Sequence, residues 1–455
     1  MSLPPPSGEL AGTHVVLDAS VELLAGATVV VGGSPLRVIR LSARGAELVE
    51  HLAHGDEVPA GAAPTALVRR LLDGGLVHPD WSGGSPDAPE PAADVTVVVP
   101  VRGALDPQLL AALGPVAAVV VVDDASPVAV SVPASTPDGA PVRLVRRTIQ
   151  GGPAAARNDG LALVDTCLVA LVDADCVPRP GWLQILLPHF SDPAIAVVAP
   201  RITAATDRAH GLLARYETAW SALDMGPRPA RVRARTRMAY VPSAALVART
   251  AALREVGGFD PGLRVGEDVD LVWRLDRDGW TVRYEPLAEV DHRHRTRPVA
   301  WLRRRFDYGT SAGLLARRHP GLLAPVELSG WRTTALAEHL AAVGDPELAP
   351  RLVAAGRRTG LRQLARALLR PWWPVTLLAI AIVPSRRVRV AIVAVVASAA
   401  IRDWLDDGAP TGLGTFLVGR LGDDLAYGTG VWVGCVRART TEPLRPVLRW
   451  AATPR

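Results

Sequence analysis

Four β runs, Val95–Val99, Ala117–Val122, Val142–Val145 and Leu168–Val172, are joined by connections long enough to hold helices. Strands linked in this way do not close as hairpins. They predict a mostly parallel sheet with right-handed crossovers. Pro153 to Val164, just before the fourth run, reads as a crossover helix with proline in its first turn. In an open α/β sheet, ligands gather in the crevice beyond the carboxyl ends of the strands. Chemistry is therefore expected in the residues directly after each run.

Carboxylates and arginines stand at those positions. The first run continues into Pro100, Val101 and Arg102, and the second ends in Asp123-Asp124-Ala125-Ser126. A carboxylate there can accept a hydrogen bond from a base N–H or a ribose hydroxyl, or simply cap a turn. Gln150-Gly151-Gly152-Pro153 opens the helix, and Arg157-Asn158 follows about one turn inside. The small residues permit close backbone approach, and the positive helix end favours anions. Leu168–Val172 runs into Asp173-Ala174-Asp175. Aspartates at i and i+2 can chelate one hard divalent cation or share it with a diphosphate. At the end of a buried strand such a carboxylate is costly unless paired or metal-bound. Further on come Gly257-Gly258-Phe259-Asp260, Gly266-Glu267-Asp268 and Arg274. A second acid pair on a separate element supplies a candidate base. The two acidic signatures together read as metal-assisted transfer from a nucleotide-activated donor.

Taken in order, that series resembles the inverting family 2 glycosyltransferases of GT-A fold, over about residues 95–310. The resemblance implies an α/β, Rossmann-like nucleotide-sugar-binding domain over 94–320, with a place for each residue. Pro100, Arg102 and Asp124 border the nucleoside, and Arg157 helps to hold it. Asp173 faces the ribose or the metal, and Asp175 binds the Mn²⁺ or Mg²⁺ that neutralises the leaving diphosphate. Either His292 or His294 of Asp291-His292-Arg293-His294 serves as a further metal ligand, or the stretch is a solvated basic loop. Asp268 is the base, and Glu267 orients it or the acceptor. Arg274 pairs structurally with an acid. A single opposite-face displacement inverts the anomeric centre, so an α-linked donor gives a β-linkage. Trp301-Leu302-Arg303-Arg304-Arg305 occupies the place of the QxxRW acceptor motif of processive relatives. That motif is absent, which speaks against long-chain polysaccharide synthesis. Arg304 or Arg305 either contacts diphosphate or belongs to an amphipathic helix face.

The flanks read differently. Residues 10–80 hold short strands around Gly32-Gly33-Ser34-Pro35, a helix from Ala43 to Leu52 capped by Ser42, and a second helix from Thr65 to Leu72. This pattern resembles the small PqqD-like winged-helix domains that hold leader peptides of ribosomally made, modified peptides; a packing or dimerisation module is the alternative. Residues 81–93, rich in proline and glycine, read as a linker. Residues 321–455 form an apolar helical tail, with runs at Trp372–Val383 and Val390–Ile401 on either side of Pro384-Ser385-Arg386-Arg387. Neither run reaches the roughly 20 apolar residues of a spanning helix. They suit a hydrophobic hairpin, set at a membrane interface or packed within a core or dimer.

Composition narrows the partners. All 50 basic residues are arginine, which matches phosphate and carboxylate geometry but also follows from GC-rich codon usage. With 45 acidic residues against them and 5% aromatics, a nucleic-acid partner is not expected. Three cysteines fit no metal or disulfide spacing, and the amino terminus has no charged region leading into an apolar core. The expected location is the cytoplasm, on or partly inserted in the inner face of the cell membrane. The domain order resembles transferases that add β-linked glucose, from UDP-glucose, to a small redox cofactor derived from a ribosomal peptide. The expected partners are a nucleotide-sugar donor, that small peptide-derived acceptor, a peptide or protein at the amino-terminal module, and a membrane surface. The alternatives are a membrane-associated transferase acting on a lipid-linked or cell-wall glycan, and a peptide-binding scaffold whose transferase domain is inactive.

Overall fold

Val97, Val98 and Val99 are fully buried, as are Val119, Val121 and Val122 and Val169 to Val172. Strands covered on both faces are what continuous apolar runs dictate. The computed structural model describes residues 10–81, 94–205, 211–294, 297–328, 348–406 and 411–448. It divides into two units, Met1–Ala205 with Ala222–Arg293, and Thr206–Ser221 with His294–Arg455. Except for Trp81, the stretch read as a linker lies outside the described residues.

The first unit begins with β1 (His14–Leu17), β2 (Glu22–Leu24), β3 (Val29–Gly32), β4 (Arg37–Arg40), α1 (Ala43–Ala53), α2 (Ala62–Asp73) and β5 (Val77–Asp80). β2, β3 and β4 form an antiparallel sheet, and β1 pairs antiparallel with β5. Ser42 caps α1, its Oγ accepting the Gly45 N–H at 3.2 Å. Val49, Leu52, Val68, Leu71 and Leu72 point from the two helices into one apolar cluster with Val15, Val30 and Ile39.

The large sheet of this unit is built from β6 (Val95–Val101), β7 (Ala118–Asp123), β8 (Val142–Arg146), β9 (Leu168–Val172), β10 (Cys176–Pro178), β11 (Ile195–Ala204), β12 (Ala230–Val232), β13 (Ala245–Arg249) and β14 (Thr281–His292). Its helices are α3 (Leu109–Ala112), α4 (Pro153–Leu161), α5 (Trp182–Leu186), α7 (Thr250–Glu255) and α8 (Glu267–Arg277), while α6 (Leu212–Ala219) belongs to the second unit. The strand order is β10-β14-β11-β13-β9-β6-β7-β8, with β12 on β14. The four strands read from the sequence, β6 to β9, are parallel to their neighbours among themselves. The sheet as a whole is mixed: β13 lies antiparallel between β9 and β11, and β10 and β12 pair antiparallel with β14. Antiparallel entry of β13 brings Ala244 beside the end of β9, where its carbonyl accepts the Asp173 N–H at 2.8 Å.

The second unit is helical. Its main elements are α6, α9 (Pro298–Arg318), α10 (Leu348–Leu369), α11 (Trp373–Ile382), α12 (Arg386–Asp406) and α13 (Leu413–Ala438). α9 and α13 cross through glycines. A Cβ at Gly309 would strike the Tyr427 carbonyl, and one at Gly430 would strike the Phe306 carbonyl. Gly313 and Gly434 repeat the relation one turn on. Charge is buried here too. Arg305, 4% exposed, pairs with Glu217 and lies 3.6 Å from Asp423, and the Trp301 indole donates to Glu217 at 2.6 Å. Arg305 is therefore committed inside this unit and is not available to a diphosphate, while Arg304 sits 4.6 Å over the Tyr308 ring. The two apolar runs form α11 and α12, with Leu377, Leu378, Ile382 and Val390 all more than half exposed. Among the described residues, no helix is long and apolar enough to cross a membrane.

The glycine crossing can be tested by substitution. Gly430→Val is expected to destabilise the helical unit by about 3 kcal/mol, because neither backbone can retreat without repacking. Gly414→Ala, with open space around it, is expected to be neutral or mildly stabilising. Urea unfolding of the full chain followed by circular dichroism compares the two.

Candidate active site

The site grows from the start of α4. Gly151 and Gly152 direct their N–H groups at Asp124, whose two carboxylate oxygens accept them at 2.8 Å each. Arg147 Nε reaches the same carboxylate at 3.0 Å. Gly152 has φ +86°, a conformation that costs other residues dearly. Asp124, 4% exposed, thus fixes the loop that launches the helix. Gly160, two turns on, lies flat on the sheet, where a Cβ would strike Val98.

So positioned, Arg157 is 2% exposed and reaches two carboxylates on different elements. Its Nη2 donates to Asp173 at the end of β9, at 2.6 Å, and its Nη1 to Glu267 at the start of α8, at 3.0 Å. Burial alone would lower the Arg157 pKa, but Asp173 and then Glu267 raise it above its ordinary value. The guanidinium also covers the Phe259 ring at 5.3 Å. The glycine-rich loop, the DxD triplet and the Glu-Asp pair, apart in sequence, become one cluster through this side chain.

The neighbour of Arg157 holds the other wall. Asn158 Nδ2 donates to the Phe259 carbonyl at 2.7 Å, and its Oδ1 accepts the Phe259 N–H at 2.9 Å. Arg274 pairs with Asp270 at 2.8 Å and donates to the Val256 and Gly258 carbonyls at 2.6 and 2.8 Å. Both sides of the Gly257-Gly258-Phe259 loop are therefore tied down. Asn158 and Phe259 had no assigned part in the sequence reading. The signal available for Asn158 was only its place next to Arg157.

Asp268 follows Glu267 in the first turn of α8 and is partly covered. Loss of hydration, and then the adjoining Glu267 charge, push its carboxyl up to about 7; the Val269 and Ser243 amides and Arg157 pull the other way. A carboxylic acid poised near neutrality can take a proton from an alcohol without being idle at cellular pH.

Asp175 is the open member of the DxD triplet, 53% exposed against 31% for Asp173. β10 pairs with the end of β14, which brings His292 Nε2 to 3.5 Å from Asp175 Oδ2. His294 lies in the other unit, with Nδ1 3.4 Å from Glu217. Of the two histidines, His292 is the one beside Asp175. Among the described residues, no group of three or more His, Cys, Asp or Glu side chains is arranged to enclose a metal ion. Asp175 and His292 make a two-residue donor pair of oxygen and imidazole, suited to a hard or borderline divalent cation that takes its remaining ligands from water or phosphate. Pro100 is buried within β6, and Arg102 is exposed just past its end.

Residues 93–307 match the family described as glycosyltransferase like family 2. The chain belongs to that family of transferases. More particularly, it is similar to the pre-mycofactocin glycosyltransferase of Mycobacterium tuberculosis, in strains CDC 1551 and H37Rv, being 40% identical over 475 residues that cover 96% of this chain and 98% of the relative. Solved structures align more loosely. The mannosyltransferase PcManGT of Pyrobaculum calidifontis, in complex with GDP-Man and Mn²⁺, gives a TM-score of 0.37 at 21% identity over 72% of this chain and 92% of that one. Residues 1–349 of TarS from S. aureus give 0.38 at 14% identity over 76% and 92%.

Replacing Asn158 by alanine leaves the Phe259 N–H and carbonyl without these partners. A cost of about 2 kcal/mol in unfolding free energy is expected, measured by urea denaturation against Asp159→Ala, an exposed neighbour.

Proposed function

We propose that this chain moves a sugar, with inversion, from a nucleotide-sugar donor onto the peptide-derived redox cofactor precursor pre-mycofactocin, forming a β-linkage, with UDP-glucose as the donor. The observation that carries the transfer chemistry is the Arg157 bridge, which gathers Asp173, Glu267 and their neighbours Asp175 and Asp268 into one cluster. The acceptor rests on the full-length similarity to the pre-mycofactocin enzyme, which extends beyond the family match into the amino-terminal module and the tail.

In this reading each side chain has one task. Asp268 takes the proton of the acceptor hydroxyl as that oxygen attacks the anomeric carbon. Glu267, held by Arg157, fixes the first turn of α8 and so orients Asp268. Arg157 holds Asp173 at the ribose side of the donor. Pro100, Arg102 and the loop fixed by Asp124 border the nucleoside. Asp175 and His292 would hold a divalent cation, Mn²⁺ or Mg²⁺. Bound there, the cation supplies charge neutralisation to the departing nucleoside diphosphate.

The flanking regions extend the reading. The module at residues 10–80 serves as a PqqD-like contact for a peptide or partner protein, the stretch after it as a linker, residues 94–320 as the GT-A domain and residues 321–455 as the tail. The exposed apolar side chains of α11 and α12, with Arg386, Arg387 and Arg389 exposed beside them, favour a cytoplasmic enzyme lying against the inner membrane face. The same surface supports the second reading, a transferase for a lipid-linked or cell-wall glycan.

Purified protein incubated with UDP- and GDP-sugars and the peptide-derived acceptor separates these readings by product mass. Hexose increments on the small acceptor are expected; increments on lipid alone would favour the second. Asp268→Asn is expected to lower kcat by roughly 10²–10⁴-fold with the fold retained. Because the base acts deprotonated, kcat/KM is expected to rise with pH and level off above about 7; this limb should vanish in Asp268→Asn. Chelation with EDTA is expected to abolish transfer, with Mn²⁺ or Mg²⁺ restoring it.

A further inference from the structure

A cavity of about 140 Å³ lies where the amino-terminal strands meet β12 within the first unit. One water needs roughly 10–15 Å³ on this measure, so the space holds a molecule of several heavy atoms. Its wall carries Ser20, Ser34, His78, Arg228, Arg231 and Arg237, and a single acid, Asp18. That acid is already engaged: His78 Nε2 lies at 2.8 Å, the Ser20 N–H at 2.9 Å and the Ser20 hydroxyl at 2.5 Å. Three guanidinium groups thus face a cavity lined by one carboxylate, with Asp276 pairing one of them, Arg231, at 3.2 Å.

Two of the lining side chains are buried with polar atoms unused. The Arg231 side chain is 9% exposed; its Nη2 donates to Asp276 at 3.2 Å, but Nε and Nη1 have no hydrogen-bond partner among the described residues. His78 is 3% exposed; its Nε2–H goes to Asp18 and burial holds its pKa below the ordinary value, so its Nδ1 is an unprotonated acceptor, also without a partner among the described residues. Of these atoms the Arg231 nitrogens are donors, and a buried N–H without an acceptor is unfavourable by about 1–3 kcal/mol. Behind them, Arg231 stands in register with Arg283 across β12 and β14, and Arg283 is 3% exposed. Burial, followed by the Arg231 charge, lowers Arg283 to about 10; burial and the neighbouring Arg228 likewise lower Arg237. An anion in the cavity would relieve this crowding and supply the missing acceptors.

We propose that this cavity is a binding site for a small oxyanion, a carboxylate or a phosphate, held by Arg228, Arg231 and Arg237 with His78 and Ser34 at its wall. Guanidinium forks match both groups in planar geometry. The site is separate from the transfer cluster. β12 pairs with the beginning of β14, at Val282 to Tyr284, whereas His292 beside Asp175 ends that strand, a separation of roughly 20 Å at the rise of the partner strand β11, whose Val198 and Ala204 lie opposite Arg283 and His292. It draws on residues of the amino-terminal module and of the sheet alike, so a bound anion would bridge the two.

The test is a calorimetric titration of the full-length protein with inorganic phosphate and, separately, with succinate, against sodium chloride at matched ionic strength. Saturable binding of at least one anion is expected, and which one binds distinguishes phosphoryl from carboxylate ligands. Arg228→Ala/Arg237→Ala, both exposed and so tolerated by the fold, should weaken binding at least ten-fold at unchanged melting temperature, and Arg231→Gln should weaken binding likewise. Asp175→Asn should leave it intact. No saturable binding of either anion, undiminished binding in the arginine variants, or loss of binding in Asp175→Asn would overturn the proposal. The readout is binding rather than sugar transfer, so a failure here is distinct from failure of the enzymatic reading.

Discussion

One buried guanidinium organises the candidate active site. Arg157 is out of solvent, and a charge there is tolerable only because carboxylates on two other elements face it. The reverse holds as well: Glu267 is 8% exposed and needs a cation near it. The end of β9 and the start of α8 are therefore held to α4 by mutual need. Everything that fixes Arg157 serves this tie. Asp124 fixes the loop before the helix, Gly160 lets the helix lie close to the sheet, and Asn158 with Arg274 holds the Phe259 loop against the guanidinium. Asp268 inherits its environment from the arrangement, since the Glu267 charge that helps to raise it is kept in place by Arg157.

The sequence carried the parallel half of the sheet because fully buried strands leave a continuous apolar signature, and Val95–Val101, Ala118–Asp123 and Leu168–Val172 each have one. It did not carry β13. Ala-Leu-Val-Ala-Arg is a short stretch that suits helix as well as strand, and only tertiary pairing makes it an antiparallel insert. The acidic signatures were readable because their spacing and order are local. What joins them is not: no pattern in Asn158-Asp159-Gly160 says that Asn158 will mimic a strand partner for a loop a hundred residues later. Arg274 was read as a structural partner of an acid, and it has that role with Asp270.

The tail illustrates the opposite limit. Hydrophobic runs were visible, and they form helices, yet composition cannot say which helices bury their faces. The glycines of α9 and α13 allow two backbones to meet closely, while α11 and α12 keep large apolar side chains exposed. Of the Trp301–Arg305 stretch, ambiguous as sequence, Trp301 and Arg305 turn inward because Glu217 from α6 accepts from both, while Leu302 and Arg303 stay exposed. The stretch is an amphipathic helix face, as one of its two readings had it, with Arg305 in a buried polar cluster and Arg303 exposed.

A double-mutant cycle between Arg157 and Glu267 probes the central tie most directly. Unfolding free energies are measured for the parent, Arg157→Met, Glu267→Gln and the double variant. If the bridge organises the site, each single change is strongly destabilising and the double is much less than their sum, with a coupling of at least about 1.5 kcal/mol. Additivity to within about 0.5 kcal/mol would mean that the two side chains do not depend on each other, and that the convergence of the two acidic signatures has some other origin.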